Sequence, residues 1–391
     1  MMEIEQLWNL IDQNVSRLGE EIVALASAHG RVLAQDARAI ADQPPFDQSA
    51  MDGFAISGSG PNFKIIGHQA AGQIGRFRLS SNEAVRVLTG AVIPEGAESV
   101  LKQEDCTLQG DFVEANVPIL PGAFIRKRGS SRRAGQLVLA AGKRINAGAI
   151  GLLAATGFGE VAVTRRPKIL HLVTGDELLP PGSALMPGQI HDSNGPMIAS
   201  LLKERGLYST EVEQRRLPDS ASGIAEAICQ FNGNLLLISG GSGPGDRDHT
   251  LSSLEQHGFR VNASRINSRP GKPLIFATRD SQVAFGLPGN PLAHFVCYHA
   301  FVRRALDQME GLPPSALLAA SLEGPAQDEN ADGRRTWFPG LLHAVANEGW
   351  KVRPLDWKHS GDLAPLAEAN ALILMDGVNQ SECACLPCAQ L

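Results

Sequence analysis

A chain of 391 residues with 43% apolar content and a formal net charge of −6 is globular and longer than one hydrophobic core normally serves, so several domains are expected. The acidic balance argues against nucleic acid as a partner, and no apolar stretch reaches the roughly 18 residues of a membrane helix. The start Met1-Met2-Glu3-Ile4-Glu5 lacks the basic region of a signal peptide, so a cytoplasmic protein is expected. In chain order, Ile4, Leu7, Leu10, Ile11, Val15 and Leu18 recur at helical spacing. Ile22 to Ala28 continue the pattern, which predicts an amphipathic helix over residues 4–28, closed by Gly30. Residues 37–65 are polar and turn-rich. Short apolar segments cut by glycine and proline, among them Phe63-Lys64-Ile65-Ile66 and Ala84-Val85-Arg86-Val87-Leu88, then predict a small β-rich domain. Asn146 caps a small-residue helix over residues 146–158, suited to close packing against the first helix.

From Pro167 the pattern changes. Residues 168–173, 234–238 and 282–285 are continuous apolar runs separated by helical segments at 196–205, 222–229 and 250–256, and they read as buried parallel strands. Further strands are expected at 208–212, 259–261 and 274–276, and a long helix follows Pro291 as far as Met309. Gly311-Leu312-Pro313-Pro314 marks a boundary, and residues 315–391 read as a small β domain. Cys106, Cys229 and Cys297 read as buried small hydrophobes. The tail Cys383-Ala384-Cys385-Leu386-Pro387-Cys388 reads as a short strand, since three thiols leave a structural zinc site one ligand short.

Each long apolar run ends in a glycine-marked loop: Thr174-Gly175-Asp176-Glu177, the segment from Ser239 to Asp248, and Gly286-Leu287-Pro288-Gly289-Asn290-Pro291. In an open α/β sheet such loops form the ligand crevice, and glycines with helix N-termini favour an anion there. A phosphorylated or oxyanionic small molecule is the expected ligand. The loop with Gly240, Gly241, Ser242 and Gly243 lacks both the Walker lysine and the ribose-binding acid of dinucleotide folds, so it reads as either a tight turn or a phosphate cradle. Glu177, Asp219 and Asp248 follow predicted strands. Carboxylates converging on such a cradle have the composition of a Mg²⁺–phosphate site, although Asp248 could equally cap the next helix. Arg265, Arg269 and Lys272 add positive charge around the rigid turn Arg269-Pro270-Gly271-Lys272-Pro273. No Ser-His-Asp or Cys-His order suggests covalent catalysis, and most of the ten histidines, scattered without metal-ligand spacing, read as surface or packing residues. The basic run Arg126-Lys127-Arg128-Gly129-Ser130-Ser131-Arg132-Arg133 reads as a solvated rim, an anion contact or a domain contact.

These segments together resemble the molybdopterin molybdenumtransferase family, which includes bacterial MoeA and the E domain of animal gephyrin. The likeness covers nearly the full length. It rests on Ser49-Ala50-Met51-Asp52-Gly53, Arg86-Val87-Leu88-Thr89-Gly90-Ala91, Thr174-Gly175-Asp176-Glu177-Leu178, Ser239-Gly240-Gly241, Pro270-Gly271-Lys272-Pro273 and the Gly286–Pro291 loop, in that order.

The resemblance implies a multidomain α/β and β protein. Its domains would be a linker from residues 1–37 and 134–166, an inserted β-rich domain (38–133), a molybdopterin-binding-like α/β domain with a mostly parallel sheet (167–314) and a small C-terminal β-barrel (315–391). It implies insertion of molybdate into adenylylated molybdopterin with release of AMP, dependent on Mg²⁺ held by Glu177 and Asp248. It also implies a homodimer whose site is shared between subunits, with molybdopterin adenylyltransferase and molybdoenzymes as partners. Asp52 matches the family's essential aspartate, Asp219 a third carboxylate, and Thr89, Pro288 and Pro291 pocket positions. Three departures stand out: Ser131 replaces a carboxylate, Arg265 and Arg269 replace lysines, and Gly241-Ser242-Gly243-Pro244 replaces the usual loop. They keep open a non-catalytic pterin or nucleotide scaffold, and an enzyme for another pterin or for tungstate.

Overall fold

The computed structural model describes residues 1–73, 77–240, 249–324, 334–359, 361–375 and 382–388. The chain forms two compact units, Ile22–Val163 and Met1–Glu21 with Thr164–Leu391.

In the unit Ile22–Val163 a six-stranded sheet has the order Ser99–Lys102, Gly53–Ser57, Glu83–Val87, Asn62–Gln69, Phe112–Ala115, Cys106–Gln109. Gly53–Ser57 lies in a stretch read as turns, yet all five of its residues are buried. A Cβ at Gly53 would come within 2.0 Å of the Leu101 carbonyl oxygen, so glycine is what lets the neighbouring strand approach. Strand alternation then sends Phe54 and Ile56 to one small core and Ala55 to another. The capped helix forms over Ala147–Ala155, with Asn146 Oδ1 accepting from the Ala149 amide at 2.9 Å. Its Leu153 packs with Leu25, Ala28, Val161 and Val163, in a core that does not include the first helix as expected.

That first helix ends at Asn14, well short of Ala28. Ile4, Leu7 and Ile11 fill its buried face, while Glu20–Ala24 is a strand paired with Glu160–Thr164. The apolar spacing runs on past Asn14, but strand pairing overrides it and leaves Ile22 exposed.

The α/β part is a six-stranded sheet ordered Val212–Leu217, Ile169–Thr174, Leu235–Ser239, Gln282–Leu287, Ile275–Arg279, Arg260–Ala263. The first four strands are mutually parallel, and the last two join antiparallel. The expected strand at 208–212 is displaced to Val212–Leu217. It is an edge strand whose Glu213-Gln214-Arg215-Arg216 core is polar, so it offers no apolar run to find. Helices at Asn194–Glu204, Ala221–Gln230 and His249–Gln256 match the expected segments within a few residues. Pro291 opens a long helix to Glu310, interrupted by a π-helical turn at Tyr298–Val302 and closed by Gly311 in the left-handed conformation.

The C-terminal strands Leu318–Leu322, Arg335–Val345, Gly349–Pro354, Ala371–Met375 and Glu382–Pro387 close into a five-stranded barrel. Cys383 and Cys385 are buried in its last strand, with sulfurs 3.8 Å apart. Cys297 is buried as expected, but Cys106 is only half-buried and Cys229 is exposed on the outer side of its helix. No helix among the described residues is long and apolar enough to cross a membrane.

Candidate functional site

The parallel strands end together, which brings their loops to one sheet edge. Thr174 Oγ1 donates to the Ser239 carbonyl at 3.2 Å, and the Gly240 amide donates to the Leu287 carbonyl at 3.3 Å. Gly240 has φ +97°, and a Cβ there would lie 2.6 Å from the Thr174 carbonyl oxygen, so only glycine fits. Glu177 is exposed just beyond Thr174. Asp176, which sequence reasoning passed over, accepts the Asp219 amide on Oδ1 at 3.1 Å. Asp219 keeps its own Oδ1 buried without a partner among the described residues. An orphaned buried carboxylate oxygen is costly unless a cation or a donor meets it.

The basic loop reaches the same edge through topology. Arg260–Ala263 runs parallel to Gln282–Leu287 because both are antiparallel to Ile275–Arg279, so the segment 264–274 leaves and re-enters the sheet at the carboxyl ends of the parallel strands. Arg265 and Lys272 are exposed on this loop, closed by the Ile266 amide on the Lys272 carbonyl at 3.1 Å. Gly271 packs on the helix after Pro291, where a Cβ would stand 2.9 Å from Cys297 Sγ. Arg269 turns elsewhere: its guanidinium lies 5.8 Å from the Trp357 ring centroid, and Ser268–Arg269 pairs with the barrel strand Arg335–Val345.

The structure therefore places Glu177, Asp219, Gly240, Pro288, Gly289, Asn290, Pro291, Arg265 and Lys272 on loops at the carboxyl ends of the parallel strands, with Asp219 after one outer strand, Arg265 after the opposite one, and Arg269 on the same loop as Arg265 facing the barrel. Gly241, Ser242, Gly243 and Asp248 lie outside the described residues. Among the described residues no three His, Cys, Asp or Glu side chains group as a metal site. The donors that are present are hard carboxylate oxygens of the kind Mg²⁺ takes, and Mg²⁺ commonly needs only one or two of them beside phosphate and water. Sequence reasoning also missed two histidines. His171, in the buried strand Ile169–Thr174, and His294 are both fully enclosed and hydrogen-bonded.

In the other unit Asp52 and Thr89 meet. Asp52 Oδ1 accepts from the Thr89 amide at 2.6 Å and from Thr89 Oγ1 at 2.7 Å. The amide foremost, then the hydroxyl, hold the Asp52 carboxyl below its ordinary pKa, so it is an anion at neutral pH. Gln48–Ser49 pairs with Ile125–Arg126, which starts the basic run beside this loop. Two cations of that run are already satisfied: Lys127 pairs with Asp47 at 2.8 Å and Arg128 with Asp42 at 2.6 Å. Ser131 is exposed, its amide bonded to the Gln43 carbonyl at 2.9 Å.

A mostly parallel sheet with glycine-marked strand-end loops and a closed five-stranded barrel define a multidomain α/β and β protein. The chain matches the MoeA N-terminal region (domain I and II) over residues 2–157 and the "Probable molybdopterin binding domain" over residues 171–308. It is 32% identical to the molybdopterin molybdenumtransferase of Nostoc sp., over 94% of this chain and 88% of that one. It is also 32% identical to the enzyme of the same name from Staphylococcus aureus Mu50, over 95% and 91%. The solved structure of a molybdopterin biosynthesis moea protein from Pyrococcus horikosii superposes with TM-score 0.82 and 27% identity over the whole of both chains. The chain belongs to the molybdopterin molybdenumtransferase family.

Proposed function

We propose that this protein transfers molybdenum from molybdate to the dithiolene of molybdopterin, taking adenylylated molybdopterin and releasing AMP. The observation that supports it most is that carboxylates and cations both follow the strands on the side of the sheet where the parallel strands end, with the Asp219 Oδ1 buried and without a partner among the described residues. Arg265 and Lys272 would bind the molybdate, and the backbone at Gly240 and at Pro288–Pro291 the pterin nucleotide. Glu177 and Asp248 would hold Mg²⁺, which when bound offsets the charge of the phosphates. Asp52, kept ionised by Thr89, would orient the reacting phosphate or water. The reading includes a cytoplasmic homodimer, fed by a molybdopterin adenylyltransferase and delivering to molybdoenzymes.

The test is direct. Purified protein given adenylylated molybdopterin, Mg²⁺ and molybdate is expected to release AMP and form active cofactor, measured by reconstitution of a cofactor-free molybdoenzyme. Absence of both products with folded protein overturns it. Ser131, exposed where the family pattern has a carboxylate, favours a second reading: a scaffold that binds without turnover and gains activity with Ser131→Asp.

A further inference from the structure

Beneath the strand-end loops a single file of hydrogen bonds crosses the sheet. Gln214 Nε2 lies 3.2 Å from His171 Nδ1, and His171 Nε2 lies 2.5 Å from Ser239 Oγ. Ser239 Oγ lies 3.2 Å from His294 Nε2, and His294 Nδ1 lies 2.9 Å from the Pro288 carbonyl oxygen. With both rings neutral, one arrangement of protons satisfies every member. A carbonyl only accepts, so His294 Nδ1 donates to it and His294 Nε2 accepts the Ser239 hydroxyl. Ser239 Oγ then accepts from His171 Nε2, and His171 Nδ1 accepts from the Gln214 amide. Neutral rings are what this setting enforces, because burial foremost pushes His171 down to about 3 and His294 to about 4.

Asn194 adds a second grip one residue further on, its Nδ2 donating to the Gly289 carbonyl at 2.7 Å. A planar trans peptide points its N–H opposite to its C=O. With the Pro288 and Gly289 carbonyls turned in towards enclosed donors, the amides of Gly289 and Asn290 are turned out. Both residues are exposed, and a Cβ at Gly289 would meet nothing within 4 Å. Pro291 follows with no N–H, so these two amides are the backbone donors that this stretch turns outward.

We propose that His294 and Asn194 are positioning residues: they turn the Pro288–Asn290 backbone so that the Gly289 and Asn290 amides form a paired donor for a tetrahedral oxyanion, and the His171–Ser239 contact reinforces the His294 tautomer that the Pro288 carbonyl selects. The identity of that oxyanion, the phosphate of the nucleotide or molybdate, rests on the function proposed above. The proton arrangement does not.

The full chain, labelled with ¹⁵N in histidine, glycine and asparagine, tests this by NMR. His294 is expected as the Nδ1–H tautomer and His171 as Nε2–H. Gly289 and Asn290 amides should exchange rapidly in the free protein and shift on titration with AMP, with molybdate or with both, which tells the two sources apart. His294→Phe and Asn194→Leu should each weaken that binding about tenfold, with His294→Gln, which retains an N–H for the carbonyl, recovering most of it. Gly289→Ala, a methyl added in open space, should weaken binding without altering the fold, and it keeps the test decisive if the buried variants do not fold. An Nε2–H tautomer at His294, or slowly exchanging Gly289 and Asn290 amides, overturns the proposal. So does AMP or molybdate binding that leaves these amides unmoved and is indifferent to all three substitutions, an outcome that would leave the proposed function standing. If wild-type protein binds neither anion, it is the functional reading that fails first, and the positioning role goes with it.

Discussion

Three histidines in the α/β unit are held neutral by enclosure. His171 and His299 are pushed down to about 3 and His294 to about 4, in each case by burial before any other cause. The folded pKa lies below the ordinary 6.5, so above pH 6.5 folded and unfolded chains bind the same protons at these rings and their full contribution to stability is present. As pH falls from 6.5 towards 4 the unfolded chain takes up protons that the folded one refuses, and stability is lost. Each ring adds a slope of about 1.4 kcal/mol per pH unit in that window. His299 differs from the other two because both its ring nitrogens are buried without a partner among the described residues, packed between Phe295 and Tyr298. His299→Phe is expected to raise stability at pH 7 and to flatten the acid slope by about a third, one ring of three. Urea midpoints measured from pH 4.5 to 7.5 decide it; an unchanged slope would mean that His299 titrates normally.

At the scale of elements, the helix Asn194–Glu204 is fastened to the end of the long helix by one guanidinium. Arg205 reaches Asp307 at 2.8 Å and Glu310 at 2.5 Å, with all three side chains nearly enclosed. Burial alone would lower the Arg205 pKa, but Glu310 and then Asp307 outweigh it and raise it, so the charge persists at any pH the fold survives. Arg205→Met would remove the guanidinium that these two buried carboxylates share, a loss of about 3–5 kcal/mol. Chemical denaturation should show it as a large drop in midpoint with little change in slope. A loss under about 1 kcal/mol would mean that water or protons satisfy both acids once the guanidinium is gone.

The whole molecule divides the proposed chemistry. Asp52 and Thr89 belong to the unit Ile22–Val163, whereas Glu177, Asp219 and the Pro288–Pro291 loop belong to the other. The homodimer proposed above predicts complementation: Asp52→Asn and Glu177→Gln subunits, each inactive alone, should form mixed dimers that regain up to half the activity of the wild type, because one of two shared sites carries neither change. Verified heterodimers that stay inactive would put both residues in one subunit's site and sink the shared-site reading.

The strand ends that carry the candidate site were legible because their signals are local: apolar runs that stop at Thr174, Ser239 and Leu287, each followed by glycine or proline, need no knowledge of distant partners. The ordered motifs from Ser49 to Pro291 carried the family and, with it, Asp52 and Thr89. What stayed hidden depends on residues far apart in the chain. Gly53–Ser57 is a central strand because Leu101 and Val85 lie against it, and Val212–Leu217 is an edge strand because Ile169–Thr174 offers it a ladder. The helical spacing after Asn14 lost to a strand partner some 140 residues away. Asp176, Asn194 and the file from Gln214 to Pro288 have meaning only once parallel strands 43 and 68 residues apart set His171 beside Gln214 and Ser239. A hydrogen bond is specified by where both partners sit, and only the folded sheet decides that.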